Sequence, residues 1–210
     1  IFTGIPDYSG LNSTNVNGFK NPWASICDEL VTGYGNASKY NNSDKNATNV
    51  SFHRYGDCYK AIRQANIFLQ KAHVITAGGT QGDELLEPEL KRYQANARFM
   101  RAFYHYLLFE QYGPIIIVGD KVYEATESQD MSRNSVDEVV EYLDKELLAS
   151  ADELSQEPII DENYRAEPTK GVALAVRAKM WVYAASPLLN GGFNEALNIA
   201  NPDGKKLFPI

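Results

Sequence analysis

From His53 onward, apolar side chains return every three or four residues, the spacing that gives an α-helix one buried face. Tyr55, Tyr59, Ile62, Ala65 and Leu69 form the first such stripe and predict a helix ending before Gly78-Gly79. A second stripe begins near Pro88, a residue suited to a first helical turn because the N–H it lacks would have no partner there. It carries Leu90, Tyr93, Ala97, Met100, Tyr104, Leu107 and Gln111, and Gly113-Pro114 stops it. The spacing pairs these two helices as a hairpin. Ile115-Ile116-Ile117-Val118, β-branched and bounded by Pro114 and Gly119, reads as a short buried strand or an extended connector.

A third helix is announced by a capping box, Ser135 with Glu138 three residues on, followed by Val136, Val139, Val140, Leu143, Leu147, Ala151 and Leu154 on one face. The fourth is expected from about Thr169 to Leu188. Its small residues, Gly171, Ala173, Ala175, Ala178, Ala184 and Ala185, would let a neighbouring helix come close. Pro187 and Gly191-Gly192 close it, and a fifth, shorter helix is expected from Phe193 to Ala200. Residues 1–51, by contrast, are rich in Gly, Asn, Ser and Tyr and show no sustained period. They read as an irregular, loop-rich segment packed on the helical body, with one short helix around Trp23 to Val31. The predicted architecture is therefore all-α, an irregular segment 1–51 and a domain 52–210 of tetratricopeptide-like helical hairpins with at most a short β segment. A 34-residue consensus cannot be aligned along it.

Size and charge narrow what this body can do. With 210 residues, 44% of them apolar, the chain can bury a sizeable core. Its 20 basic and 27 acidic residues leave a net charge of -7 with no localised basic patch, which argues against nucleic acid. The longest apolar run, Ile115 to Val118, is far short of a bilayer span. The chain begins at Ile1 with no signal-like segment and stops at Ile210 without a cap or polar tail, so the expectation is a fragment of a longer gene product. Cys27 and Cys58 fit either one disulfide or two thiols, and the sequons at Asn12, Asn36, Asn41, Asn46 and Asn49 read more simply as an Asn/Ser-rich loop.

Reactive constellations are scarce. His53, His73 and His105 lack metal-ligand spacing, so no metal site or cofactor is expected. Gly78 to Gly82 is glycine-rich but lacks the Lys-Ser/Thr of a phosphate loop. No Gly-x-Ser-x-Gly elbow is present, and neither cysteine sits in a nucleophile motif. Asp83, Glu84, Glu87 and Glu89 read as a solvated helix start rather than a glycosidase pair. What stands out is aromatic content without catalytic company: Trp23, Tyr34 and Tyr40 lie near Asn36, Asn41 and Asn42. Rings present an apolar face to the C–H side of a sugar, and amides pair with hydroxyls. Trp23, Tyr34, Tyr40, Asn41 and Asn42 are therefore the candidate glycan-binding residues, against the simpler possibility that the rings pin the loop to the helices.

Four ordered segments carry a resemblance. Ala61-Ile62-Arg63-Gln64-Ala65-Asn66-Ile67-Phe68-Leu69 resembles the first signature of the SusD/RagB family. Ala97-Arg98-Phe99-Met100-Arg101-Ala102-Phe103-Tyr104 with Tyr112-Gly113-Pro114-Ile115 resembles the second. Ser135 to Val140 is similar to the third, and Thr169 to Leu174 leading to Tyr183 through Gly191 is similar to the fourth. Asn96 stands where the family usually has Glu, so an ion pair made by that acid would be missing, and the usual proline within the segment after Tyr112-Gly113 is displaced or absent among Ile115 to Ile117. The resemblance implies a lipid-anchored outer-membrane protein at the cell surface, without enzymatic activity. It would capture oligosaccharide or polysaccharide and act as the lid of a SusC-like TonB-dependent transporter. The anchoring cysteine and most of the portion that follows the helices in the family are expected to lie outside this chain. The alternatives are a helical scaffold that binds a protein or peptide without glycan, and a helical glycoside hydrolase.

Overall fold

In the computed structural model, the residues described are 1–5, 53–76, 84–124, 126–127, 130–161 and 164–209. The chain divides into two compact units, one of Phe2–Arg54 and one of Tyr55–Ile210 with Ile1. In the first unit the described residues include a 3-10 turn at Phe2–Gly4. The short helix expected around Trp23 to Val31, Cys27, the sequons and Gly78 to Gly82 lie outside the described residues.

Among the described residues, the second unit holds four α-helices: α1 (Tyr55–Lys71), α2 (Glu87–Tyr112), α3 (Val136–Glu153) and α4 (Lys170–Ala184). Among the described residues there is no strand, only isolated bridges at Ile75–Leu85 and Ala200–Lys206. Helices α1 and α2 run antiparallel, with the rings of Tyr55 and Tyr112 5.4 Å apart at one end and Ile75 bridged to Leu85 at the other. Helices α3 and α4 form a second hairpin, clasped by Asp144–Arg177 and Asp152–Lys170. The two hairpins meet along α2 and α3.

The ends of the helices follow their sequences. Ser135 accepts from the Glu138 N–H while the Glu138 carboxylate takes the Ser135 N–H, closing the capping box, and every apolar position predicted for α3 is buried. Thr169 caps α4 through the Val172 N–H. Gly113, at φ +66°, ends α2 in a left-handed turn that L side chains rarely adopt, and its N–H reaches the Phe109 carbonyl at 2.9 Å.

Three expectations change. Helix α2 does not bury a single stripe. Ala95, Phe99, Tyr106, Leu108 and Phe109 are buried beside Met100 and Tyr104, because α1, α3 and α4 surround it. Helix α4 ends at Ala184, four residues before Leu188, since Pro187 lacks the N–H a further turn needs and crowds the residue before it. Of its small residues only Ala173 is buried; Gly171, Ala175, Ala178 and Ala185 are exposed. The fifth helix is absent: Phe193–Ala200 holds just a 3-10 turn, Ala196–Asn198. The stretch between Gly192 and Pro202 is too short to nucleate a helix unaided. The chain instead turns back so that Leu207 is buried and its carbonyl accepts the Val136 N–H. Ile115 to Val118 is an extended connector held by side chains, Asn134 Oδ1 accepting the Ile117 N–H and Tyr59 bonding both polar groups of Ile116.

Candidate functional site

The family-like segments assemble a buried polar cluster rather than a binding surface. Arg101, on α2, donates to Glu146 Oε2 of α3 at 2.6 Å and to Asn66 Oδ1 of α1 at 3.2 Å. The Asn66 amide in turn donates to the carbonyls of Gly119 and Lys121, both at 3.0 Å. Arg98 adds a second guanidinium between Glu146 and Glu153. His105, fully buried one turn along, has Nδ1 2.8 Å from the Arg101 carbonyl, which makes that nitrogen the protonated one. Burial, assisted by the Arg101 charge, pushes the imidazole down to about 4, so it is neutral near pH 7. Asn66, Arg101 and Glu146 tie α1, α2 and α3 together away from solvent, while the Arg98–Glu153 pair lies at the partly exposed edge of the cluster.

Asn96 is also buried, and its Nδ2 donates to Glu167 Oε2 at 2.7 Å. An acid from the α3–α4 connection thus meets the residue that stands where an acid was expected. Among the described residues no cluster of three or more His, Cys, Asp or Glu side chains is placed to hold a metal, and no helix is long and apolar enough to cross a membrane.

Two cavities differ in character. The larger, about 570 Å³, lies between the start of α2 and the α3–α4 connection and is lined by Arg92, Asn96, Glu153, Glu157 and Glu167 among others. No aromatic ring lines it, and several of its charges are already engaged: Arg92 faces Glu167 at 3.7 Å, and Glu153 pairs with Arg98. The smaller, about 420 Å³, opens beside the first turns of α1. Tyr55, Tyr59 and Tyr123 supply its rings, Ile116, Val118 and Met131 its apolar floor, and Lys60, Arg63 and Lys121 its charges.

This second cavity has the chemistry a sugar needs. Tyr55 and Tyr59 lie 4.8 Å apart, centroid to centroid, tilted by 60°. The Tyr59 hydroxyl donates to the Ile116 carbonyl at 2.8 Å and accepts its N–H at 3.1 Å, which fixes the ring, and burial raises its pKa. The Lys121 ammonium lies 4.3 Å from the Tyr123 centroid, a cation–π contact. Gly56 leaves the rim open, since an added Cβ would meet nothing within 4 Å.

Trp23, Tyr34, Tyr40, Asn41 and Asn42 lie outside the described residues, so this cavity is a different set. Tyr55 and Tyr59 read in the sequence as core, and Arg63, Lys121 and Tyr123 carried no signal of their own. The sign was in the register: Tyr55, Tyr59 and Arg63 stand four residues apart on one helical face, and a core stripe does not normally continue into an arginine.

Comparison with known proteins agrees with the helical architecture. Residues 15–182 match the SusD-like family described as "Starch-binding associating with outer membrane". The chain therefore belongs to the SusD-like family, whose helical part is the tetratricopeptide-like array seen here. Among solved structures, BT4246 matches with a TM-score of 0.69 and 27% identity, over 83% of this chain and 29% of its own. A SusD-like protein from Bacteroides fragilis matches at 0.60 and 20% identity, over 87% of this chain and 33% of its own. A laminarin binding SusD-like protein matches at 0.56 and 20% identity, over 70% of this chain and 30% of its own. The chain spans about a third or less of the length of these structures. No curated protein matches it.

Proposed function

We propose that this chain is the helical part of a non-catalytic glycan-capture protein. It is lipid-anchored at the cell surface of the outer membrane, and it binds oligosaccharide or polysaccharide and delivers it to a SusC-like TonB-dependent transporter. The observation that carries the reading is the family match over residues 15–182. The ring-lined cavity supports it. Three tyrosines around an apolar floor offer stacking faces for a sugar's C–H side, while Arg63 and the lysines offer donors to its oxygens. Trp23, Tyr34, Tyr40, Asn41 and Asn42 form a second proposed set of contacts.

Calorimetry of the full chain against a panel of neutral and acidic polysaccharides tests this reading. Binding to at least one glycan is expected, without release of reducing ends. Tyr55→Ala, Trp23→Ala or Tyr40→Ala is expected to weaken binding by roughly 1 kcal/mol or more while melting hardly shifts. Affinity and stability falling in step would make the rings structural pins. Binding to peptides with none to any polysaccharide would overturn the glycan reading.

A second reading, a helical scaffold that binds a protein or peptide partner without glycan, has one observation in its favour. The outer face of α4 leaves Leu174, Trp181 and Val182 38%, 47% and 76% exposed. Such a face favours contact with another polypeptide, and the transporter itself is one.

A further inference from the structure

The cavity beside α1 is opposite in sign to the net charge of the chain. The chain as a whole carries -7, yet three of the ten residues lining this cavity are cationic, and among the described residues no carboxylate lines it. Arg63 is exposed on α1, one helical turn past Tyr59, and among the described residues no carboxylate pairs with it. Lys60 and Lys121 do have partners, Asp57 at 3.6 Å and Glu127 at 3.2 Å. Both pairs are exposed, with side-chain accessibilities of 78% and 77% in the first and 54% and 40% in the second. Exposed pairs of this kind contribute little, so a ligand anion can replace the carboxylate. Glu127 has a further task, accepting the Glu124 N–H at 2.9 Å to close the 124–127 turn.

Buried or committed cations elsewhere behave differently. Arg98 and Arg101 are taken up by Glu146 and Glu153, Arg177 by Asp144, and Lys179 by Glu110. Arg63 is left facing solvent next to Tyr55 and Tyr59. A guanidinium has a planar fork of donors that matches a carboxylate or sulfate two bonds at a time. The adjoining rings take the apolar face of the sugar that carries the anion.

We infer that the tyrosine cavity selects an acidic glycan, one whose sugars carry carboxylate or sulfate, with Arg63 as the principal anion contact and Lys60 and Lys121 beside it. This rests on the glycan-capture reading and names the ligand class for that site. The overall negative charge makes the case sharper. A chain of -7 repels polyanions in general, so attraction must come from a local site.

The test measures affinity of the full chain for polygalacturonate, chondroitin sulfate and neutral starch at low and moderate salt. The expected result is tighter binding of polygalacturonate or chondroitin sulfate than of starch, by about tenfold or more, weakening as salt screens the contact. Binding of polygalacturonate shows that a uronate carboxylate suffices, whereas binding of chondroitin sulfate, which carries glucuronate as well as sulfate, without polygalacturonate shows that sulfate is required. Arg63→Gln combined with Lys121→Gln should remove that preference at an unchanged melting temperature, and Arg63→Lys should restore part of it. Starch bound as tightly as the acidic glycans, with no effect of salt or of the double substitution, would overturn this inference and leave glycan capture standing. No polysaccharide binding at all would overturn both. Equal binding of poly-glutamate and polygalacturonate would also overturn it, because charge alone, not an acidic sugar, would then be what is recognised.

Discussion

The interface of α1, α2 and α3 and the cavity beside α1 are both built around arginine, for opposite ends. In the interface Arg101 is 7% exposed and both ends of its guanidinium are taken, by Glu146 and by Asn66. In the cavity Arg63 stands in solvent beside rings that are held in place from behind. Residues of a shared family signature therefore divide by burial. Asn66, Arg98 and Arg101 hold helices together, whereas Arg63, from the same signature segment as Asn66, faces outward. A motif names the fold here, and exposure decides which of its members stay open to solvent.

The comparison is broken most forcefully by removing an interface partner. Glu146→Ala leaves Arg101 and Arg98 without their shared carboxylate, and an orphaned buried charge costs about 3–5 kcal/mol. Chemical denaturation should show a loss of that size; less than about 1 kcal/mol would mean that water relieves Arg101 and that the interface is not sealed. The cavity should be spared in proportion to whatever folded fraction survives.

His105 gives the next largest effect. Its folded pKa, about 4, lies below the ordinary value of 6.5, so the unfolded chain binds the extra proton first as pH falls. Stability from this group is complete above about pH 6.5, declines as pH falls toward 4 and loses no more below that. The total is about 3 kcal/mol for a shift of this size. His105→Gln should flatten this part of the pH–stability curve. An unchanged slope between pH 6.5 and 4 would place the titration elsewhere.

The smallest effect falls on the residue shared by the two regions. Tyr59→Phe keeps the ring in the cavity but leaves the Ile116 carbonyl and N–H without the hydroxyl, at a cost of about 1–2 kcal/mol. Glycan affinity measured on the folded protein should change less than in Tyr55→Ala. If Tyr59→Phe weakens binding as much as Tyr55→Ala does, the hydroxyl touches ligand and the two regions are one site.

Much of this was legible from residue order. Ser135 with Glu138, Pro88, Gly113-Pro114 and the apolar period of α3 act over one or two turns, so they mark helix starts, stops and faces wherever the chain later packs. The family-like segments identified the architecture for the same reason, as local text. What residue order did not decide is which faces meet. The circumferential burial of α2, the bare outer side of α4, the loss of the fifth helix to the Leu207–Val136 contact and the pairing of Asn96 with Glu167 all join residues far apart in the chain. So does the cavity, which gathers Tyr55, Tyr59 and Arg63 from α1, Ile116, Val118, Lys121 and Tyr123 from the connector beyond α2, and Met131 from just before α3. Local propensity is a sum over neighbours in sequence, whereas burial is a sum over neighbours in space, and only the packed helices set the second.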